Sequence, residues 1–278
     1  MLNNLETQCD IDNIMRENTL ADIINNKENL DYYIKFIISN KSKTLNELIN
    51  LCCNICPELK IYYEENYDNM KNKFKNTDKG NLGKIIESFL FGIKQNSDNN
   101  PDLKELGIDI KTTNFKKLRN GNYNAKERLT ITNCGKKNDP SSFEKITENL
   151  RESPLYKKIK KSLIFVFKYN SDKKYEDFEE LMNKELLCII DFDYEELGCG
   201  IKCQILKDYD NIKERIKNNN VSQSGQQFLH IHKHGSKGSE NCALGFTNKF
   251  LTLIVGKNLE EKNSSLLIIK KRGYQIKL

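Results

Sequence analysis

No apolar stretch among the 278 residues approaches the ~18–20 that a bilayer-spanning helix needs. The sequence therefore excludes a transmembrane helix. The N-terminus is polar and acidic and lacks the early apolar run of a secretory leader, so a soluble, cytoplasmic protein is expected. No internal repeat points to a solenoid or propeller. Histidine is scarce: all three lie in the short run His230-Ile231-His232-Lys233-His234. Cysteine is plentiful at nine, but it is scattered and no framework is visible. Free thiols are expected in a cytoplasmic chain. Cys53 and Cys56 form one C-x2-C, and no second pair follows at finger-like spacing.

What is present is charge. Lys and Arg number 45 against 39 Asp and Glu, giving a net charge of +6, and charged residues make up 30% of the chain. That balance suits a polyanionic partner without demanding one. Heavy use of Asn, Lys and Ile reads as the coding bias of an AT-rich genome, which lowers the weight of any single lysine run.

Residues 1–75 carry helical periodicity and no chemical motif; Leu45, Leu48, Ile49, Cys52, Cys53 and Ile55 recur near helical spacing, and Pro57 ends that helix or starts the next turn. From Leu82 to Ile93 the apolar residues Leu82, Ile85, Ile86, Phe89, Leu90 and Ile93 fall on one helical face. Gln95–Pro101 reads as a polar loop, and Leu106–Thr113 alternates like a strand. Residues 114–160 are polar and mixed, with Asn120-Gly121 as a turn signal. Later strands are expected at Leu163–Phe167, Leu186–Phe192, Phe228–His234, Phe250–Val255 and Leu266–Ile269, with helices around 174–184 and 208–217. The pattern is α/β or α+β around a mixed sheet with a helical N-terminal portion.

Chemistry concentrates in one place. A strand through Asp109-Ile110-Lys111 puts Asp109 and Lys111 on one face, their Cα atoms roughly 6.6 Å apart. Asp102 sits seven residues earlier, where a turn can bring it alongside. Two carboxylates and an ammonium in this order suit phosphodiester hydrolysis with Mg²⁺, a hard cation that takes oxygen ligands and lowers the pKa of bound water. The lysine would hold that water and stabilise charge on the phosphate. Glu87 lies off the apolar stripe of its helix and offers a third acid; Gly83, one turn earlier on the same side, leaves room for DNA or the sheet. Against this stands the bland alternative: in so charged a chain an Asp-x-Lys pair is usually a solvated face.

The wording around these residues tilts the balance. Lys79-Gly80-Asn81-Leu82-Gly83-Lys84-Ile85-Ile86-Glu87, followed by Pro101-Asp102-Leu103-Lys104-Glu105-Leu106-Gly107-Ile108-Asp109-Ile110-Lys111-Thr112, resembles the MutH family. That family includes a mismatch-repair nicking endonuclease and GATC-cutting type II restriction endonucleases. The resemblance covers roughly residues 79–255 and is strongest over 79–113. It implies a restriction-endonuclease-like core, a mixed β-sheet flanked by helices. With the helical N-terminal extension, the expected domains are 1–75 and 76–278. It also implies a Mg²⁺ site in which Glu87, Asp102 and Asp109 are ligands and Lys111 is catalytic. Asp109 stands where the family more usually has Glu.

Tyr156-Lys157-Lys158-Ile159-Lys160-Lys161-Ser162-Leu163-Ile164-Phe165-Val166 looks like the family's basic segment entering a core strand, which supplies a further active-site lysine, Lys158 or Lys160. Phe228–Gly235 sits where the family has a DNA-reading aromatic-Leu-x-Ile-Arg-Pro-Lys segment. Here His232, Lys233 and His234 replace Arg, Pro and Lys, and a histidine gives a base only one hydrogen bond where Arg gives two. Lys116, Lys117, Arg119 and Lys233 are candidate phosphate contacts.

The expected function is a type II restriction endonuclease acting with Mg²⁺ on double-stranded DNA at a short sequence, GATC among the candidates, as a homodimer formed on DNA. A mismatch-repair nickase is the alternative within the family. Two rivals come from other classes. A DNA-binding module with a decayed site is opposed by the intact acid, acid-x-Lys set. A cupin-like metal enzyme would use His230, His232 and His234 with Glu240, but a further downstream histidine is lacking.

Overall fold

Capping residues and apolar stripes fix the helices of the N-terminal part. The structure, a computed structural model, describes the chain apart from residues 1–12, 14–15, 42, 95–99, 145, 148, 170–175, 236–238, 262–265, 271–272 and 278. Cys9, most of the loop expected at Gln95–Pro101, and the start of the helix expected near residue 174 lie outside the described residues. Thr19 caps α1 (Leu20–Asn25), Asn26 caps α2 (Lys27–Ser39) and Thr44 caps α3 (Leu45–Ile55), each through its side-chain oxygen on an open backbone N–H. Pro57, which lacks an N–H, opens α4 (Pro57–Asn72) at the one helical position where none is needed. Helix α5 (Asn81–Phe91) ends at Gly92 in the left-handed region (φ 62°).

Two compact units form. The first comprises residues 1–112 with 165–189, the second 113–164 with 190–278. In the first, α3 packs on α4, α4 on α5, and α3 on α7 (Phe178–Met182). Aromatic edges pin its core: the Tyr33 ring meets Phe91 at 5.8 Å, Phe91 meets Phe165 at 5.9 Å, and the buried Tyr33 hydroxyl donates to the Leu90 carbonyl at 2.6 Å. The N-terminal helices therefore share one core with α5.

The strands are β1 (Asp109–Lys117), β2 (Tyr123–Ala125), β3 (Leu129–Lys136), β4 (Lys161–Tyr169), β5 (Leu186–Asp193), β6 (Leu229–Lys233), β7 (Asn241–Phe246), β8 (Leu266–Lys270) and β9 (Gly273–Lys277). They form a six-stranded sheet in the order β5-β4-β1-β2-β9-β8 and a three-stranded sheet in the order β3-β7-β6. The remaining helices are α6 (Pro154–Ile159), α8 (Cys199–Lys217) and α9 (Asn248–Glu261). Within the second unit α9 packs on β2, β8 and β9, and α8 packs on β6. The expected architecture, a mixed α/β fold with a sheet flanked by helices and a helical N-terminal region, is borne out.

One segment corrects the sequence expectation. Phe250–Val255 is not a strand but the middle of α9, buried on all sides from Phe250 to Gly256. A continuous apolar run cannot separate a buried strand from a buried helix; the flanks decide. Thr247 supplies the start signal, its hydroxyl accepting from Phe250 N at 3.2 Å. The expected Asn120-Gly121 turn is present, with Gly121 at φ 83° joining β1 to β2. Strands β2, β3, β7 and β9 went unseen in the sequence. No described helix is long and apolar enough to cross a membrane, and the eight described cysteines are free thiols.

Candidate active site

The first unit assembles the acidic group by one tight turn. Leu103 and Ile108 bridge each other, Leu103 N to Ile108 O at 2.9 Å and Ile108 N to Leu103 O at 3.2 Å. The four residues between them reverse the chain, and Gly107 takes the left-handed conformation (φ 65°) that a side chain would resist. This turn brings Asp102 back beside β1, where its Oδ2 accepts from Ile110 N at 2.8 Å. Strand β1 begins at Asp109, two or three residues later than the alternation suggested, because Leu106 and Gly107 are spent in the turn.

Asp109 is fully buried and ion-paired to the Lys111 ammonium, which is itself mostly buried. The ammonium also donates to Ile110 O at 3.2 Å. Asp109 and Lys111 thus share one face of β1, as the two-residue spacing requires. Burial pushes the Asp102 carboxyl up to about 6; the adjacent Asp109 charge and a hydrogen bond to it add to the rise, while Lys111 and the Ile110 N–H oppose it. Two carboxylates crowded together, with one ammonium on Asp109, leave negative charge in excess. The donors are all oxygen. That set fits a hard divalent cation of the Mg²⁺ kind.

Glu87 stands half-buried on α5 in the same unit. A Cβ built on Gly83 would lie 3.6 Å from Glu87 Oε1 and 3.7 Å from Thr112 Oγ1. The glycine face of α5 therefore approaches β1, and Glu87 comes to the strand that carries Asp109 and Lys111. Among the described residues no group of three or more His, Cys, Asp or Glu gathers as a metal cage. The carboxylates that meet directly are Asp102 and Asp109.

The other sequence-derived residues belong to the second unit. Lys158 lies half-buried in the last turn of α6, and Lys160 follows that helix, exposed, its carbonyl accepting from Tyr194 N at 2.8 Å. Lys116 and Lys117 end β1 exposed, and Arg119 is exposed in the turn that follows. On β6 the three histidines divide. His230 and His232 are 6% and 3% exposed, while Lys233 is exposed and His234 half-buried. His232 therefore packs inside, its Nε2 3.2 Å from the Thr130 hydroxyl, and Lys233 and His234 face outward. Gly245 on β7 lies opposite His230; a Cβ there would fall 2.9 Å from His232 Cε1 and 2.5 Å from the Leu129 carbonyl oxygen. The cupin-like alternative loses its ligand set, since no such cluster forms among the described residues and the Glu240 carboxylate accepts from the Asn138 amide.

Sequence inspection missed Asp208. It is buried on α8, and its carboxylate accepts from Gln227, Phe228 and Leu229 N at 3.0, 2.6 and 3.0 Å and from Gln204 Nε2 at 2.9 Å. It fixes the entry into the histidine strand. An aspartate within a polar helix gives no local signal of this, because its partners lie about twenty residues downstream. Asp208→Ala should cost about 3 kcal/mol, as the two buried N–H groups of Phe228 and Leu229, with that of Gln227, lose a charged acceptor. Urea denaturation would measure this, and a loss below about 1 kcal/mol would contradict it.

Comparison with known proteins meets this geometry. Residues 91–196 match the family model described as DNA mismatch repair enzyme MutH. A stretch of 53 residues is 47% identical to the type II restriction enzyme Sau3AI of Staphylococcus aureus, covering 19% of this chain and 11% of that enzyme. The resemblance to the MutH family expected from the sequence is thereby shown over residues 91–196, a span that holds Asp102, Asp109, Lys111, Lys158 and Lys160. It is narrower than the sequence wording suggested: Glu87 precedes it and the histidine strand follows it.

Proposed function

We propose that this chain is a DNA endonuclease of the MutH and type II restriction kind, cutting double-stranded DNA at a short specific sequence. The carrying observation is the meeting of Asp102, Asp109 and Lys111 inside the segment that matches the MutH model. Asp102 and Asp109 would hold a Mg²⁺ ion, with Glu87 completing or tuning the site from α5. When bound, that ion would polarise the phosphate and lower the pKa of its water.

The chain's own groups do the rest. Lys111 donates from one ammonium to the Asp109 carboxylate and, on substrate binding, would donate to the phosphate oxygen that gathers charge in the transition state. Its partial burial beside the fully buried Asp109 limits competing water and strengthens that donation. The Ile110 N–H holds Asp102 in line with β1. Lys158 or Lys160 would add a second cation. Lys116, Lys117, Arg119 and Lys233, with His234, would contact phosphates, and His232 would support that strand from within. With these roles the protein would act on DNA in the cytoplasm, and double-strand cutting would call for two copies assembled on one site.

The test is incubation of unmethylated and GATC-adenine-methylated plasmid with the protein in Mg²⁺, with an EDTA control. Linear fragments mapping to one sequence, absent in EDTA, are expected, and binding should weaken steeply with salt. Nicked circles alone would favour the repair-type alternative. Salt-sensitive binding without cleavage would reduce the protein to a binding module, and loss of both would end the nuclease assignment.

A further inference from the structure

A groove lies in the first unit between α4 and α5, a cavity of about 430 Å³. The α4 side is a single stripe, Tyr62, Asn66, Asn69 and Lys73, spaced as one helical face. The α5 side is Asn81, Lys84, Ile85 and Ser88, again one face. By helical rotation that face is opposite the one carrying Gly83 and Glu87. Neither stripe enters the proposed reaction, and α4 precedes the segment matched by the family model.

The lining is unusual for a gap between two packed helices. Lys73, Lys75 and Lys94 line it, and none of them makes an ion pair among the described residues; Lys84 is held by Asp78 at 2.6 Å. One acid therefore faces four ammonium groups. Amides also line it: Asn69 on α4, with Asn66, whose Nδ2 donates to Tyr62 O at 2.8 Å, and the buried Asn81, whose Nδ2 donates to Lys75 O at 2.8 Å. Tyr62 lines the wall, and Met70, Phe74 and Ile85 supply apolar surface.

We propose that this groove binds a phosphorylated nucleotide, free or as one residue of a DNA strand. The volume falls within the ~300–1,000 Å³ of small-ligand sites. Unpaired lysines answer the phosphate. The Asn69 amide offers the donor-and-acceptor pair that meets a base edge, and the apolar and aromatic wall suits a base face. Inorganic phosphate would use the lysines alone and bind far more weakly. Because α5 also carries Glu87, the occupant bears on the helix that approaches β1.

The experiment is isothermal titration of the full chain in EDTA at low salt with deoxyadenosine 5′-monophosphate, with a short single-stranded oligodeoxyadenylate, and with inorganic phosphate. Binding of the monophosphate or the oligonucleotide is expected to weaken at least tenfold in Lys73→Ala/Lys75→Ala and in Asn69→Ala, all exposed positions. The surface variant Lys217→Ala should leave it unchanged. Response to the monophosphate identifies a free nucleotide as sufficient; response to the oligonucleotide alone identifies the strand as the source. Binding of neither, binding insensitive to both groove variants, or phosphate binding as tightly as the nucleotide would overturn the proposal. This readout needs no cleavage, so it stands or falls apart from the nuclease assignment. A change in cleavage rate on adding the monophosphate would be a second readout, and only that one rests on the assignment.

Discussion

Lys111→Ala should lower DNA cleavage by ~10²–10³-fold or more while leaving salt-sensitive binding in place. The ammonium is ion-paired to Asp109 and acts on the Asp102 carboxyl, and it is positioned by β1 itself, two residues beyond Asp109. Its removal also leaves the fully buried Asp109 carboxylate without that ion pair, so the variant should unfold more easily. The two effects can be separated. Cleavage by Lys111→Ala is read well below that variant's own thermal midpoint, where it is folded, so the remaining loss belongs to the reaction and not to unfolding. Plasmid cleavage and thermal melts of wild type and Lys111→Ala decide it. If the folded variant cuts at the wild-type rate, Lys111 is a structural counter-ion and the catalytic role is wrong.

This site was legible because its parts are local. Asp102, Asp109 and Lys111 fall within ten residues, and the turn that joins them is written in Gly107; spacing on a strand then dictates which side chains share a face. Helices α3 and α5 were legible for a similar reason, since each carries its own apolar stripe. What escaped reading depends on distant partners. Strand β2 is three residues long and exists through its neighbours β1 and β9, the latter some 150 residues away. Strand β3, polar at Thr130, Thr132 and Asn133, pairs with β7 more than a hundred residues later. In α9 the apolar run overrode strand propensity because the helix is surrounded, so no amphipathic period remained to see. Asp208 and the burial of His232 belong to the same class: long-range packing assigns a polar residue to the interior, and no local pattern announces it.

Those buried histidines carry the second large effect. Burial lowers His230 to about 4 and His232 to about 3, with the Arg128 charge pushing both further down. His230 and His234 add to the field at His232, while a backbone hydrogen bond at His230 opposes it. The sign follows directly. In the unfolded chain each imidazole takes up a proton near its ordinary value of about 6.5. In the folded chain it stays neutral to much lower pH, so the unfolded state binds more protons in between. Stability is therefore full above about pH 6.5, falls as pH drops through that value, and levels off only near 4 and 3. At pH 5 the loss should be roughly 2 kcal/mol for each histidine. Asp102, whose raised value works in the opposite sense, would mask part of this in the wild-type curve alone. Comparing wild type with His230→Gln/His232→Gln removes that ambiguity, because Asp102 is common to both. Urea midpoints at pH 7.5 and pH 5 should show the wild type losing about 4 kcal/mol more than the double variant across the interval. Equal pH slopes in the two proteins would mean that both imidazoles titrate normally, and that β6 opens to solvent far more readily than its packing against Thr130 and Gly245 implies.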